Sequence, residues 1–529
     1  MTEAALEQLI ASLLVVRASG HRLDAQRRYP QWELTNPELQ RLLELGVGGV
    51  ILLGGSASEL SLRCQQLQDW AQQPLLLCAD VEEGVGQRFE GATWLPPPLS
   101  LGRLFAHEPE RAIALARRYG RCTGREARQL GLNWVLGPVC DVNNNPANPV
   151  INVRAWGETP AAVAALSSAF SEGLHAEGVL GCAKHFPGHG DTSVDSHLDL
   201  PVLPHSRKRL TAVELPPFEA CIATGIDAVM TAHLRLPALD AALPATLSKR
   251  VLTDLLRGEL GFSGLVVTDA LVMEAIARHY GAGEAAVLAL EAGADLVLMP
   301  ADADQAMAAI GAAVTAGRLS RAQLEASAAR RSAALQRLPQ QREGTTQPLE
   351  QEPDTPLVLE LLQATLQRQG GQLAAAAGLN LIRLESTLNA PQAIPQLPAL
   401  ELPQARGYQP VLLEPRSPSP WRDDPAAPLA LERLGEGPVL LQLFVRGNPF
   451  RGSSASSEPW HQVVVQLQQQ GRLAGLVVYG SPYLWEQLSP LLEAGIPAAY
   501  SAAQMPQAQR LALASLGFGD TEAAAGFTD

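Results

Sequence analysis

Short apolar runs recur along the first 300 residues, separated by segments that mix polar and apolar positions. Eight runs are rich in Val, Leu and Ile and too short for typical helices, so each predicts a buried strand. They lie near residues 13–17, 48–53, 75–80, 133–139, 179–184, 226–232, 264–269 and 294–299. Segments with helical spacing, such as 108–130 and 160–177, lie between them. Buried strands that alternate with helices predict a parallel sheet, and eight such units predict an α/β fold of the (β/α)8 TIM-type barrel class.

A second α/β pattern follows a polar stretch. Residues 303–337 have helical spacing, whereas 338–357 are rich in Pro, Gln and Glu and have no periodicity, which predicts a linker. Strands are then predicted near 379–384, 410–414, 438–445, 475–479 and 497–500, and helices near 358–369, 460–470, 484–494 and 503–515. We therefore predict a barrel domain at 1–337, a linker at 338–357 and a smaller three-layer α/β sandwich domain at 358–529.

Composition narrows the class of protein. The net charge of −14 argues against nucleic acid or an anionic membrane as the main partner, and no apolar run is long enough to span a bilayer. The N-terminus opens with acidic residues and lacks a basic region and a cleavage site, so we expect no signal peptide and a cytoplasmic protein. The six cysteines are far apart and form no C-x-x-C motif, which indicates buried thiols in a reducing compartment.

Titratable residues collect where the predicted barrel strands end. Active sites of TIM barrels lie at the C-terminal ends of the strands. The stretch AKHFPGHGDTSVDSHLDLP, residues 183–201, is the densest case, since it carries three of the ten histidines. The strand-end residues are Asp80, Asp141, Lys184, His185, His233 and Asp269.

Asp269 and the histidine stretch together suit covalent catalysis at an acetal carbon. Asp269 would attack, while His197 would protonate the leaving oxygen and later deprotonate water. Asp195 could bond one imidazole nitrogen of His197 and raise its basicity. Two other interpretations stay open. Asp269 could instead cap the following helix, and His189, Asp191, Asp195 and His197 could bind Zn²⁺ or Mn²⁺, although their spacing matches no common metal motif.

Two further loops are candidates for binding. DVEEGVGQR places Asp80 at a strand end and Arg88 eight residues later, and these side chains could exchange hydrogen bonds with sugar hydroxyls. DVNNNPANPVINVRAWGE, residues 141–158, is too polar for a buried element and predicts an ordered functional loop. Its Arg154 could serve the site or could bond loop carbonyls in a purely structural role.

These motifs resemble glycoside hydrolase family 3. The resemblance is carried by KHFPGHGDTSVDSH, with GPVCDVNNNPANPVINVRAWGE before it and VVTDALVMEAI after it, in the same order along the chain. It is closest to the bacterial β-N-acetylhexosaminidase branch in its two-domain form. The resemblance covers about residues 1–340 strongly, and the second domain only in outline.

The family implies a retaining exo-glycosidase without a metal or cofactor. Its nucleophile falls at Asp269, its acid/base at His197 and the partner of that histidine at Asp195. Lys184, His185, Asp80, Arg88 and Arg154 match residues that bind the terminal sugar. The segment Asp195-Ser196-His197 distinguishes the branch from β-glucosidases, so the expected substrate is a small carbohydrate, an N-acetylglucosamine glycoside, in the turnover of peptidoglycan fragments.

The sequence departs from the family at two positions and leaves other activities open. Glu83 stands where glycine is usual, which could alter the loop after Asp80, and Ala270 stands where a polar residue is frequent. Another family 3 exo-glycosidase such as a β-glucosidase, a phosphorylase that uses the same nucleophile, and a catalytically silent carbohydrate-binding protein are the alternatives.

Overall fold

The computed structural model divides the chain into two compact units, residues 1–355 and 356–529. It describes residues 3–192, 200–339, 353–374, 377–384, 397–414, 417–446 and 458–519. Most of the predicted linker, residues 340–352, therefore lies outside the described residues.

The first unit is a closed barrel of eight parallel strands. The strands are β1 (Leu14–Ser19), β2 (Gly49–Leu53), β3 (Leu76–Ala79), β4 (Trp134–Val135), β5 (Cys182–Phe186), β6 (Ala228–Thr231), β7 (Leu265–Val267) and β8 (Val297–Leu298). They form sheets with the orders β4-β3-β2-β1-β8 and β5-β6-β7. Parallel bridges from Trp134 to Leu180 and from Val267 to Leu296 join the two sheets into one ring. The predicted (β/α)8 barrel is confirmed.

Apolar side chains fill the barrel because alternate residues of a strand point to the same face. One buried cluster contains Val15 on β1, Cys78 on β3, Cys182 on β5 and Val267 on β7, together with residues of the other four strands. The next residue on the same face of each of these strands lies nearer the C-terminal end of the barrel. This end is where the predicted site residues lie.

Helices surround the barrel, and several of them begin at side-chain caps. They are α1 (Glu3–Ala11), α2 (Asn36–Leu45), α3 (Ala57–Trp70), α4 (Leu99–Phe105), α5 (Pro109–Gln129), α6 (Pro160–Ala176), α7 (Arg207–Ala212), α8 (Pro216–Ala223), a π-helix (Arg250–Glu259), α9 (Glu274–Tyr280), α10 (Ala282–Ala292), α11 (Ala303–Thr315) and α12 (Arg321–Gln336). Thr35 and Glu38 form a capping box at the start of α2, and Gly46 ends that helix in a left-handed conformation.

Two predicted elements of the barrel are shorter or divided in the structure. The strand predicted at 133–139 is limited to β4, because Pro138 has no N–H to donate to a neighbouring strand. The helical segment predicted at 303–337 consists of α11 and α12. The chain between them passes through Gly317, whose φ of 73° is readily adopted by glycine.

The second unit is a mixed six-stranded sheet with helices on both faces. The strands are β9 (Gln367–Gln369), β10 (Gly378–Leu384), β11 (Tyr408–Leu413), β12 (Val439–Val445), β13 (Leu473–Gly480) and β14 (Ala498–Ser501), in the order β11-β10-β12-β13-β14-β9. The helices are α13 (Thr355–Thr365), α14 (Pro398–Ala405), α15 (Trp460–Gln469), α16 (Pro482–Leu488) and α17 (Pro506–Ser515). Leu441 and Leu443 belong to one buried cluster, and Leu440 and Phe444 to another. These two cores confirm a three-layer sandwich.

The structure corrects the predicted elements of this unit at two places. The helix predicted to reach residue 369 ends at Thr365, and Gln367–Gln369 forms an antiparallel edge strand with β14. The polar sequence QRQ has no apolar alternation, which is why the pattern missed this strand. The helix predicted at 484–494 ends at Leu488 and continues as a 3₁₀ turn, Ser489–Leu491, that contains Pro490.

All six cysteines are buried free thiols, as the sequence predicted. In the part of the chain that the structure describes, no helix has both the length and the apolar character needed to cross a bilayer.

Candidate active site

Four charged side chains meet at the C-terminal ends of β3 and β5. Lys184 Nζ lies 2.7 Å from Asp80 Oδ1 and 2.6 Å from Glu82 Oε1. Arg154 donates from Nε and Nη2 to the two oxygens of Glu82, both at 2.8 Å. The structure thus joins three predicted site residues, Asp80, Lys184 and Arg154, through Glu82.

Burial and charge act against each other in this cluster. Lys184 is buried, which lowers its pKa, but Asp80 and Glu82 outweigh that effect and raise the pKa of its ammonium above the usual value. Burial would raise the pKa of Glu82, but Arg154 and Lys184 hold it well below its usual range. Lys184 and Glu82 are therefore both charged at neutral pH. The Asp80 side chain, which is 38 % exposed, is open to a ligand.

Asp141 organises the loop that carries the histidines. Its carboxylate accepts hydrogen bonds from the backbone N–H groups of His185 and His189, and its Oδ2 lies 2.7 Å from His185 Nδ1. A carboxylate at Nδ1 favours the tautomer in which Nδ1 carries the proton and Nε2 is free to accept. Asp141 therefore orients His185, one of the residues expected to bind the sugar.

His189 is a neutral imidazole inside the same loop. Burial lowers its pKa from 6.5 to about 4, although the carboxylate of Asp141 acts in the opposite direction. Its Nδ1 lies 2.8 Å from Thr192 Oγ1, and Asn148 donates from Nδ2 to its carbonyl oxygen. These contacts tie the histidine loop to the asparagine-rich loop that the sequence predicted to be ordered.

Asp269 follows β7 and faces the barrel interior. It lies two residues after Val267, as Asp80 follows Cys78 and Lys184 follows Cys182, so all three charged residues continue interior positions. The residue that caps α9 is Met273, while Asp269 Oδ1 accepts the N–H of Ala270. The alternative in which Asp269 caps the following helix is therefore wrong.

The remaining predicted binding residues have structural contacts as well. Arg88 donates from Nε to the backbone oxygen of Asp80, and Arg154 donates from Nη1 to the carbonyl of Val150. Arg154 therefore bonds a loop carbonyl, as expected for a structural role, and also belongs to the charged cluster at the site.

The unusual Glu83 is turned into its own loop. Its side chain is buried, and its Oε2 accepts a hydrogen bond from Trp94 Nε1 at 3.0 Å. Its backbone carbonyl accepts the N–H of Leu95. Glu83 therefore tightens the loop after Asp80 instead of extending into the site.

Asp195 and His197 lie outside the described residues, so their roles stay predictions from the sequence. Asp191 precedes the omitted segment and His205 follows it, and Asp191 Oδ2 lies 2.9 Å from His205 Nε2. Across the described ranges, which omit 193–199, no three His, Cys, Asp or Glu residues are placed to hold a metal ion.

Glu82 and Asp141 lie at the site but are not among the catalytic and binding residues that the sequence predicts. Glu82 stands between two other candidates in DVEEG, and only its two cationic partners reveal its importance. Asp141 was recognised as a strand-end residue, but its link to His185 joins residues 44 positions apart in the chain.

Two family models match the chain. The model described as glycosyl hydrolase family 3 N terminal domain matches residues 5–333, and the bacterial glycosyl hydrolase family 3 C-terminal domain matches residues 372–517.

Curated relatives and solved structures are similar to the chain. Beta-hexosaminidase A of Pseudoalteromonas piscicida is 38% identical over 337 residues, which are 58% of this chain and 56% of that protein. Beta-hexosaminidase of Stenotrophomonas maltophilia (strain K279a) is 39% identical over 284 residues, 53% of this chain and 84% of that protein. A glycoside hydrolase family 3 beta-N-acetylglucosaminidase from Paenibacillus sp. str. FPU-7 has a TM-score of 0.76 and 30% identity, with 98% of this chain and 97% of that chain covered.

Proposed function

The chain belongs to glycosyl hydrolase family 3, and we propose that it is an exo-acting, retaining β-N-acetylhexosaminidase that releases terminal β-linked N-acetylglucosamine. The observation that carries the proposal is the charged cluster of Lys184, Asp80, Glu82 and Arg154 at the end of the barrel that Asp269 also faces. Carboxylates and cations with free hydrogen-bonding capacity suit a sugar, whose hydroxyls both donate and accept.

In the first step, a carboxylate oxygen of Asp269 forms a bond to the anomeric carbon while the bond from that carbon to the leaving oxygen breaks. The leaving oxygen takes a proton from His197, and the sugar remains covalently attached to Asp269. Lys184, Asp80 and His185 hold the ring hydroxyls so that the anomeric carbon faces the nucleophile.

In the second step, His197 takes a proton from water, and the resulting oxygen attacks the anomeric carbon. The bond to Asp269 breaks, so the sugar leaves with the configuration it had in the substrate. Asp195 holds the imidazole in the tautomer that serves both steps. A histidine suits this double role because its ordinary pKa lies near neutral pH.

The first experiment compares hydrolysis of 4-nitrophenyl β-N-acetylglucosaminide with that of the matching β-glucoside. We expect strong preference for the acetylated sugar and a loss of at least ~10³-fold in kcat for Asp269→Asn. Asp302→Asn is the matched control, because Asp302 caps α11 and asparagine caps helices equally well. Preference for glucose, or an Asp269→Asn variant as active as the control, would contradict the proposal.

Product analysis with and without phosphate separates hydrolysis from phosphorolysis. A hydrolase forms free N-acetylglucosamine in both cases, whereas a phosphorylase forms the sugar 1-phosphate. Running the assay with EDTA tests the metal interpretation, and activity that resists the chelator supports Asp269 and His197 as the catalytic groups.

For the biological setting we propose the turnover of peptidoglycan fragments in the cytoplasm. The free cysteines support the cytoplasmic location. The sulfur atoms of Cys140 and Cys221 lie 3.6 Å apart, and two thiols so close together stay unoxidised in a reducing compartment. We expect the cytosolic fraction of cells to release N-acetylglucosamine from a purified muropeptide disaccharide. Activity confined to the culture medium would contradict the location.

A further inference from the structure

The charged residues at the end of the barrel form one layer of its interior, and one member of that layer has no role assigned above. In an eight-stranded barrel of shear eight, a layer advances by one residue at each strand, and alternate strands supply its four side chains. Asp80 directly follows β3, Lys184 lies on β5, and Asp269 lies two residues after the end of β7. The fourth side chain must come from β1.

Strand register identifies the fourth member as Arg17. Arg17 is level with Ile51 on β2, which is level with Cys78 on β3. Two residues beyond Cys78 is Asp80, which is the advance expected over two strands. One layer deeper, Val15 on β1 has the same relation to Cys78 on β3, and both side chains belong to the apolar interior cluster.

The other direction around the ring gives the same result. Val267 is level with Leu296, so the next interior residue of that strand, Asp269, is level with Leu298. Leu298 pairs with Val15 on β1, and two residues beyond Val15 is Arg17. From these positions we propose that Arg17 binds a ring hydroxyl of the terminal sugar, beside the hydroxyl bound by Asp80.

The contacts of Arg17 leave hydrogen-bonding capacity for such a ligand. Its Nη2 lies 3.9 Å from Glu33 Oε1, which is an ion pair but too long for a hydrogen bond. Within the described ranges, neither Arg17 Nε nor Glu33 Oε1 has a hydrogen-bond partner. Nε is buried, so a sugar hydroxyl would bond to Nη1 or Nη2, neither of which donates a hydrogen bond among the described residues.

The position of the guanidinium is held by the loop after β1. Its central carbon lies 5.1 Å from the ring centre of Tyr29 and 5.6 Å from that of Trp32, and the two rings are stacked on each other. Glu33 Oε2 accepts the N–H of Tyr29, and the carbonyl of Arg17 accepts the N–H of Leu34. A guanidinium stacked in this way loses little freedom when it binds, so it is preorganised for a ligand.

Charge also favours this role. Positive and negative residues alternate around the layer as Arg17, Asp80, Lys184 and Asp269. Burial lowers the pKa of Arg17 overall, while the carboxylates of Glu33 and, after it, Asp80 act to raise it. The side chain is 14% exposed, so a ligand can reach it from the open end of the barrel.

The inference rests on the proposed function, and deoxy substrates test it separately. The 3-, 4- and 6-deoxy forms of 4-nitrophenyl β-N-acetylglucosaminide would be compared with the parent sugar, for the wild type and for Arg17→Met. We expect one deoxy sugar to reduce kcat/KM of the wild type by about 10- to 100-fold through Arg17. In Arg17→Met that same removal should cost much less, because its partner is already absent.

Arg63→Met is the matched control. Arg63 is also a buried arginine that lies over an aromatic ring, Trp70, but it belongs to α3 and donates to the carbonyl of Ser19. We expect each deoxy sugar to reduce kcat/KM of Arg63→Met as much as it reduces that of the wild type. Arg17→Leu also removes the donor and replaces Arg17→Met if that variant does not fold.

Deoxy penalties that are equal in the wild type and in the folded Arg17 variant would overturn the inference. So would a loss in the variant that depends on the leaving group and not on the ring hydroxyls. A wild type without activity on any N-acetylglucosaminide would overturn the proposed function itself, which distinguishes the two failures.

Discussion

Individual charges at the site are paired so closely that removing one changes its neighbours. Lys184 neutralises both Asp80 and Glu82, at 2.7 and 2.6 Å. Glu82 has a second cation, Arg154. Among the described residues, the ion-pair partner of Asp80 is Lys184. The position of the Asp80 carboxylate therefore depends on a residue 104 positions away in the chain.

Lys184→Met should reduce both activity and stability. It leaves two carboxylates near each other with their shared cation gone, and removing one partner of a buried pair costs about 3–5 kcal/mol. We expect kcat/KM to fall at least ~100-fold and the free energy of unfolding in urea to fall by about that cost. Lys208→Met, on the exposed side of α7, is the control, and an equal effect of both variants would contradict the role of Lys184.

His189 should make the protein less stable in mild acid. Its folded pKa of about 4 lies below the ordinary value of 6.5, so the unfolded chain binds a proton at this site first as the pH falls. Stability is therefore lost between pH 6.5 and 4, by about 3 kcal/mol at most. Urea denaturation at pH 7 and pH 4 should show a smaller loss of stability for His189→Gln than for the wild type. Equal losses in the two proteins would contradict this role of His189.

Elements come close together where glycine lets two backbones meet. Between the histidine loop after β5 and the loop after β4, Gly190 lies directly against the backbone of Val142. A Cβ atom at Gly190 would lie 1.8 Å from the carbonyl oxygen of Val142. The two loops that carry Asp141 and His189 are thus packed without room for a side chain.

Gly190→Ala should separate these loops. The cost of forcing a methyl group into a packed interior is about 1–3 kcal/mol, and we expect kcat/KM to fall because His185 loses its alignment with Asp141. Gly258→Ala is the control, since a Cβ atom there would lie 3.4 Å from the carbonyl oxygen of Thr253, an ordinary contact. Calorimetry and kinetics on both variants test this, and an unchanged Gly190→Ala enzyme would contradict it.

At the scale of the whole molecule, the chain consists of two units with separate apolar cores. The predicted site residues that the structure describes all belong to the barrel. The barrel unit extends to residue 355, because the N–H of Asp354 donates to Thr93 Oγ1 and its carboxylate lies 3.3 Å from Arg125.

A fragment of residues 1–355 should fold and keep kcat/KM within about tenfold of the full chain. A fragment of residues 1–352 lacks the contacts of Asp354 and should melt at a lower temperature. A soluble, folded 1–355 fragment without activity would show that the second unit is needed for catalysis.

Local pattern was enough to determine much of this protein. Eight apolar runs predicted eight barrel strands, because a strand buried on both faces must be apolar along its length. The polar residues after those runs predicted one active end, since parallel strands place their C-terminal ends together. The polar edge strand β9 escaped the same reasoning, because its pairing with β14 and not its own side chains defines it.

Only the tertiary structure decided which charges meet. Glu82 joins Lys184 to Arg154, and Asp141 orients His185, through contacts between residues far apart in the sequence. Arg17 belongs to the charged layer because closure of the barrel sets the stagger of its strands. Strand register is a property of the closed ring, and no single strand carries it in its own sequence.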